Sequence, residues 1–233
     1  MRELKNQLKK LSADHPIEKY VWKIPESCPI VISPDVKESY NRNVYLKENL
    51  KSVIASDKDL TSHYWVINEW GDIGSFKKNE RNDDRINKFI DELPKGKLSS
   101  ASFSCISSLS KVASFIDPCK YAIYDARAIY TLNWLLFNFA TDLKLFPHLA
   151  SRNGELVKYD MQTIFRLTKR ELNYHDKKSA FHSYCELIGH LSEEIYGQGS
   201  KPYMIEMLLF TAAPDYVVQR IEKTVTLSIS ADA

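Results

Sequence analysis

CISSLSKVASFIDPCKYAIYDARAIYTLNWLL, residues 105–136, reads as a helix, a short extended crossing and a second helix. In the first helix Leu109, Val112, Ala113 and Ile116 recur at i, i+3, i+4 and i+7, an apolar stripe that faces a core. Lys111 lies away from that stripe, on a face shared with Ser104, Ser107, Ser108 and Ser114. Asp117-Pro118 ends the helix, because the residue before proline is pushed out of the α region and proline has no N–H to donate. After the crossing at 120–124, Asp125 stands where an N-cap belongs, immediately before Ala126 and Arg127. The helix it opens carries Leu132, Leu135, Leu136 and Phe139 on one stripe, widened by Ile129, Tyr130, Trp134 and Phe137. A helix apolar over so much of its circumference is expected at the centre of a fold, which would hold Asp125 rigidly. An amine near the start of one helix and a carboxylate at the cap of the next can meet across such a short connection.

The arrangement resembles the helix-hairpin-helix DNA glycosylase superfamily, in its 8-oxoguanine-glycosylase-like branch. Ser110-Lys111-Val112-Ala113 is similar to the family's lysine element, and Tyr124-Asp125-Ala126-Arg127 to its aspartate element. The likeness covers about thirty residues. Two features depart from the family pattern: Ser107-Ser108-Leu109-Ser110, where a glycine-rich hairpin belongs, has no glycine, and the lysine-to-aspartate spacing is fourteen residues, shorter than expected. The resemblance implies an all-α, two-lobed protein with a DNA-binding cleft between lobes, here 1–98 plus 155–233 and 99–154. It also implies excision of a modified base from double-stranded DNA with the target nucleotide flipped out. The branch includes repair enzymes for oxidised guanine and bacterial proteins that attack modified phage DNA.

In such a reaction positive charge develops on the sugar, and a fixed carboxylate beside the anomeric carbon stabilises it. Asp125 is the candidate. A partly desolvated Lys111 amine would attack that carbon and add lyase activity, whereas attack by water would leave an abasic site. Ser107, Ser108, Ser110 and Arg127 are the candidates for contacts to the DNA backbone. The alternative is a catalytically inactive helical module that binds DNA or protein, and the missing hairpin glycines favour it.

Composition bounds these readings. The 233 residues are 44% hydrophobic and 27% charged with a net charge of +2, enough to bury a core without staples and not in themselves the signature of a nucleic-acid binder. Cys28, Cys105, Cys119 and Cys185 form no CxxC pair, and His175, His182 and His190 share no ligand face with acids, so neither a metal nor another cofactor is expected. No apolar run reaches membrane-span length and residues 1–10 are charged, so a monomeric cytoplasmic protein with no membrane partner is expected.

Outward from the centre, helices are expected over 2–11, from Ser33-Pro34-Asp35 to about Ala55, over 59–70 closing at Gly71, over 83–93, from Asp160, over 176–196, and over 203–213 stopped by Pro214. The chain loosens over 140–159, a candidate hinge. The HYWVINEW stretch offers Trp65, Asn68 and Trp70 either as core or as the wall of a base pocket, where a ring stacks and a polar group reads an edge. Tyr121, Tyr124 and Glu206 complete the base-binding candidates. Glu206, set among Met204, Ile205, Met207, Leu208 and Leu209, is either paired or used, because an unpaired buried charge is costly.

Overall fold

Fourteen residues from Ala126, the chain runs as one uninterrupted apolar helix, α8 (Ala126–Phe139), in which Leu132, Leu135 and Leu136 are fully buried. The computed structural model describes residues 1–168 and 170–226, and it is all-helical, with no strand among the described residues beyond one isolated parallel bridge between Leu145 and Tyr174. Before α8 come α1 (Arg2–Asp14), α2 (Ser39–Asn49), α3 (Lys51–Ser56), α4 (Thr61–Tyr64), α5 (Glu80–Glu92), α6 (Ser100–Ser104) and α7 (Ile106–Ile116). After it come α9 (Gly154–Lys158), α10 (Met161–Leu167), α11 (Lys177–Tyr196), α12 (Pro202–Ala212) and α13 (Val218–Thr224).

Helix α8 packs against α12 and α1, and α12 in turn lies on α11. Helix α7 packs against α2, α3, α5 and a π-helical turn that continues α4 over Trp65–Trp70. One large apolar cluster extends from Leu4 to Ile221 through nearly every helix. Within it each buried leucine contributes roughly 1.5–3 kcal/mol relative to exposure.

Local chemistry sets the helix starts. Asp125 accepts from the Arg127 N–H at 2.7 Å, Asn79 from Asn82 at 3.0 Å, Asp160 from Thr163 at 2.8 Å and Asp176 from Lys178 at 2.7 Å. Each satisfies an N–H that the first turn leaves without a carbonyl.

Two expected helix boundaries are corrected, and the third, at Gly71, holds for a different reason. Ser33-Pro34-Asp35 opens no helix: the Ser33 hydroxyl accepts from the Asp35 N–H in a local turn, and α2 begins only at Ser39. Such side-chain bonds compete with helix initiation as readily as they support it. Pro214 does not end the chain's last helical run. It sits in a π-helical turn, Ala213–Val217, whose wider backbone absorbs the missing N–H before α13 continues. Gly71 has φ −83°, so it is no left-handed cap; the positive φ falls on Asp72, at 52°. Gly71 is required by closeness instead, since a Cβ there would lie 2.5 Å from Lys111 Cδ and 2.7 Å from the Val66 and Ile67 carbonyl oxygens.

Candidate functional site

The crossing between α7 and α8 brings two charged side chains to one cavity. Lys111, in the second turn of α7, and Asp125, the cap of α8, both line a pocket of about 240 Å³. Trp70, Gly71 and Asp72 close one side, Glu206 and Phe210 of α12 another, and Tyr20 and Trp22 of the N-terminal wrap a third. Arg152, from the irregular stretch before α9, stands at the mouth and donates to the Asp72 carbonyl at 3.1 Å.

Lys111 is not a solvent lysine. It is 6% exposed, and its Nζ donates to the Ser107 carbonyl at 3.0 Å. Burial holds its pKa below the ordinary lysine value, while the negative charges of Asp125 and Glu206 oppose that shift. An amine so placed loses its proton more readily, and only the neutral amine is a nucleophile.

Glu206 is 3% exposed, and its Oε2 has no hydrogen-bond partner among the described residues. Burial pushes its carboxyl up to about 7, against the pull of Lys47 and Lys111 and with the help of Asp125. Lys47, from α2, is fully buried behind the pocket wall. Its Nζ bonds Ser114 Oγ at 3.1 Å and lies 5.1 and 4.7 Å from the ring centroids of Trp70 and Phe115. Burial lowers its pKa to about 8, partly offset by Glu206. Lys111, Asp125 and Glu206 thus share the pocket with Lys47 behind it, and no direct ion pair joins these four among the described residues.

The aromatic walls are held by bonds to their polar edges. Trp22 Nε1 donates to the Trp70 carbonyl at 2.7 Å, and Trp70 Nε1 donates to Asn43 Oδ1 at 3.0 Å. The two indoles meet edge to face at 6.2 Å, and Trp22 does the same with Phe210 at 5.6 Å. The Arg127 guanidinium lies 4.7 Å from the Phe210 ring centroid, which fixes the side chain inside the pocket rim.

Of the candidates read from sequence, Asp125, Lys111, Trp70, Glu206, Ser107 and Arg127 line this pocket. The others do not. Trp65 is buried with its Nε1 donating to Ser27, and Asn68 is half-buried with its Oδ1 unpartnered away from the cavity. Trp65 and Trp70 face different surroundings, Trp65 turning to Ser27 and Trp70 to Asn43 and the cavity. Tyr121 stacks on Phe181 and donates to the Leu93 carbonyl, and Tyr124 is fully buried and donates to that of Pro147. Both are core residues. Ser108 and Ser110 are buried too, Ser110 accepting from the Tyr124 N–H at 3.0 Å, so neither hydroxyl is available to a phosphate backbone. Ser107 through Ser110 lie inside α7, and the turn before it is the single residue Cys105 between α6 and α7, so no glycine hairpin precedes the lysine.

Lys47, Tyr20, Trp22, Phe210 and Arg152 were not read from sequence as site residues. A signal existed for Lys47: with Asn43, Leu46 and Leu50 it occupies the buried face of α2 at helical spacing, a polar residue in a core position. No signal marked Tyr20 and Trp22, which reach the pocket through an irregular segment. Among the described residues no group of three or more His, Cys, Asp or Glu side chains is placed to hold a metal ion, and no helix is long and apolar enough to cross a membrane.

No family model, curated protein or solved structure matches the chain. What the site does therefore has to be argued from its own chemistry.

Proposed function

We propose that the protein is a DNA glycosylase that takes a flipped-out base into this pocket and hydrolyses its N-glycosidic bond. A single observation carries the reading: Lys111 and Asp125, fourteen residues apart and on different helices, line one aromatic-walled cavity, with the amine desolvated. Stacking walls suit the faces of an extruded base, and a rigid carboxylate beside it suits the cationic sugar of the transition state. Asp125 spends one oxygen on the cap of α8 and accepts no other bond among the described residues. Its charge is thereby fixed in place with no rearrangement needed during reaction.

In the water route Asp125 stabilises the developing positive charge while water attacks the anomeric carbon, and an abasic site remains. In the lyase route the neutral Lys111 amine attacks that carbon, the base leaves with the bonding electron pair, and loss of a proton from nitrogen with ring opening gives an imine. The pocket is below the roughly 300–1,000 Å³ of typical ligand sites, so it fits a stacked base better than a bulky glycosylated one.

Duplexes carrying single modified bases, incubated with the protein and treated with alkali, test the reading. Cleavage by the wild type and its loss in Asp125→Asn are expected; absence of cleavage on every duplex would remove the enzyme reading. Borohydride trapping assigns Lys111: a covalent adduct that persists in Lys111→Ala takes it out of the nucleophile role.

A second reading has a specific observation behind it. Ser107–Ser110 lie within α7 instead of a glycine hairpin, which is the element expected to grip the DNA backbone. A helical module that binds DNA or protein without chemistry accommodates that difference. Duplex binding without cleavage would favour it.

A further inference from the structure

Among the described residues lining the pocket, one acceptor is both buried and without a partner. Glu206 is on α12, an ordinary eleven-residue helix, and it is the one residue of the Met204–Leu209 run that is charged. Its Oε2 is buried and has no partner among the described residues, yet the residue lines the cavity. Leaving a buried carboxylate oxygen unpaired costs the full desolvation of that group, so such an atom is expected to find a partner that the protein itself does not supply. Its charged neighbours are Lys47 from α2, Lys111 from α7 and Asp125 at the cap of α8, two cations against one anion. The two lysines favour the acceptor form while burial and Asp125 oppose it, and neither lysine pairs with the carboxylate directly among the described residues. The rings of Tyr20, Trp22, Trp70 and Phe210 are among the other walls, and they admit a flat occupant.

We infer that Glu206 is the specificity-determining residue of the pocket, and that the occupant is a planar nitrogen heterocycle presenting an N–H donor to its carboxylate. The inference rests on the reading of the cavity as a base site and narrows it: bases whose buried edge offers an N–H are accepted, and those whose edge is blocked by methyl groups are excluded. Discrimination of this kind is steep, because a base lacking the donor leaves the carboxylate desolvated and unpaired.

The test uses free nucleosides, so it does not depend on base excision. Adenosine and cytidine are titrated against the full chain alongside N6,N6-dimethyladenosine and N4,N4-dimethylcytidine, with binding read by tryptophan fluorescence and by calorimetry. At least one unblocked nucleoside is expected to bind about 10- to 100-fold more tightly than its methylated counterpart. In Glu206→Gln, which keeps the side chain's shape, that ratio is expected to fall at least several-fold. Equal binding of blocked and unblocked nucleosides, an unchanged ratio in Glu206→Gln, or no nucleoside binding at all overturns the inference. Glu206-dependent discrimination by a protein that cuts no duplex sustains the inference and sinks the glycosylase reading. Duplex cleavage with no such discrimination does the reverse.

Discussion

At the scale of single residues, Gly71 shows how a backbone position can serve a distant side chain. Its φ of −83° is open to any residue, so conformational freedom does not require glycine here. Contact does, because the Lys111 stem and two carbonyl oxygens of the π-helical turn occupy the space a methyl group would need. The Lys111 stem is a flexible side chain that can shift away, whereas the two carbonyls are helical backbone, so a methyl group displaces Lys111 and strains the turn as well. Gly71→Ala is expected to destabilise the fold by about 1–3 kcal/mol, measured by urea denaturation, and to lower the borohydride-trapped adduct below wild type at equal folded protein. An unchanged denaturation midpoint would show that the turn relaxes more easily than its packing implies.

At the scale of the element, the start of α8 joins stability to chemistry in Asp125. The side chain caps the helix through the Arg127 N–H and also faces the pocket. The two roles separate by substitution. Asparagine caps about as well as aspartate, whereas alanine forfeits on the order of 1 kcal/mol. Asp125→Asn is therefore expected to keep the wild-type melting temperature and lose cleavage, while Asp125→Ala loses both. If Asp125→Asn cut DNA normally, the carboxylate charge would have no part in the reaction. The same element scale explains α7. Its serines read in sequence as a polar face shared with Lys111 and offered to a DNA backbone, yet Ser108, Ser110 and Ser114 are buried. Ser110 holds the crossing through the Tyr124 N–H, and Ser114 holds Lys47.

At the scale of the whole molecule, two buried groups give stability opposite dependences on pH. Burial lowers the His148 pKa to about 4, with Asp160 opposing weakly. A depressed histidine stabilises the fold above the unfolded value near 6.5, and that contribution, on the order of 3 kcal/mol at most, is lost as pH falls through 4. Glu206 runs the other way. Its carboxyl is raised toward 7, so its contribution is present below the unfolded carboxylate range and is lost as pH rises through 7. Between about pH 4.5 and 6.5 the two slopes oppose each other. Glu206→Gln is expected to steepen the loss of stability on acidification, and His148→Gln to flatten or reverse it, in chemical denaturation series at stepped pH. Parallel profiles for all three proteins would show that neither group titrates as its burial requires. Net charge of +2 gives a second expectation at this scale. With Arg127 and Arg152 as the cations at the pocket rim, DNA affinity is expected to fall shallowly with salt, and Arg152→Ala to reduce the log–log slope by about 0.9. An unchanged slope would place the backbone contacts on another face.

The sequence by itself determined the all-helical class, the central position of α8, the helix caps at Asp125, Asp160 and Asp176, and the candidacy of Lys111 and Asp125 across one short connection. These are local matters, since periodicity and capping act within a few residues of the positions that encode them. Tertiary structure alone decided which polar residues meet. Glu206 on α12 and Tyr20 and Trp22 on an irregular segment reach one cavity with Lys111 and Asp125, and Lys47 on α2 lies behind it against Trp70 and Ser114, placements that only the packing of distant segments fixes. It also decided that Trp70 faces the pocket while Trp65 turns to Ser27, because which neighbours pack against each side of that turn is set by distant segments of the chain. Burial and desolvation belong to the packed molecule, so the shifted pKa values of Lys47, Lys111 and Glu206 had no counterpart in the chain read as a string.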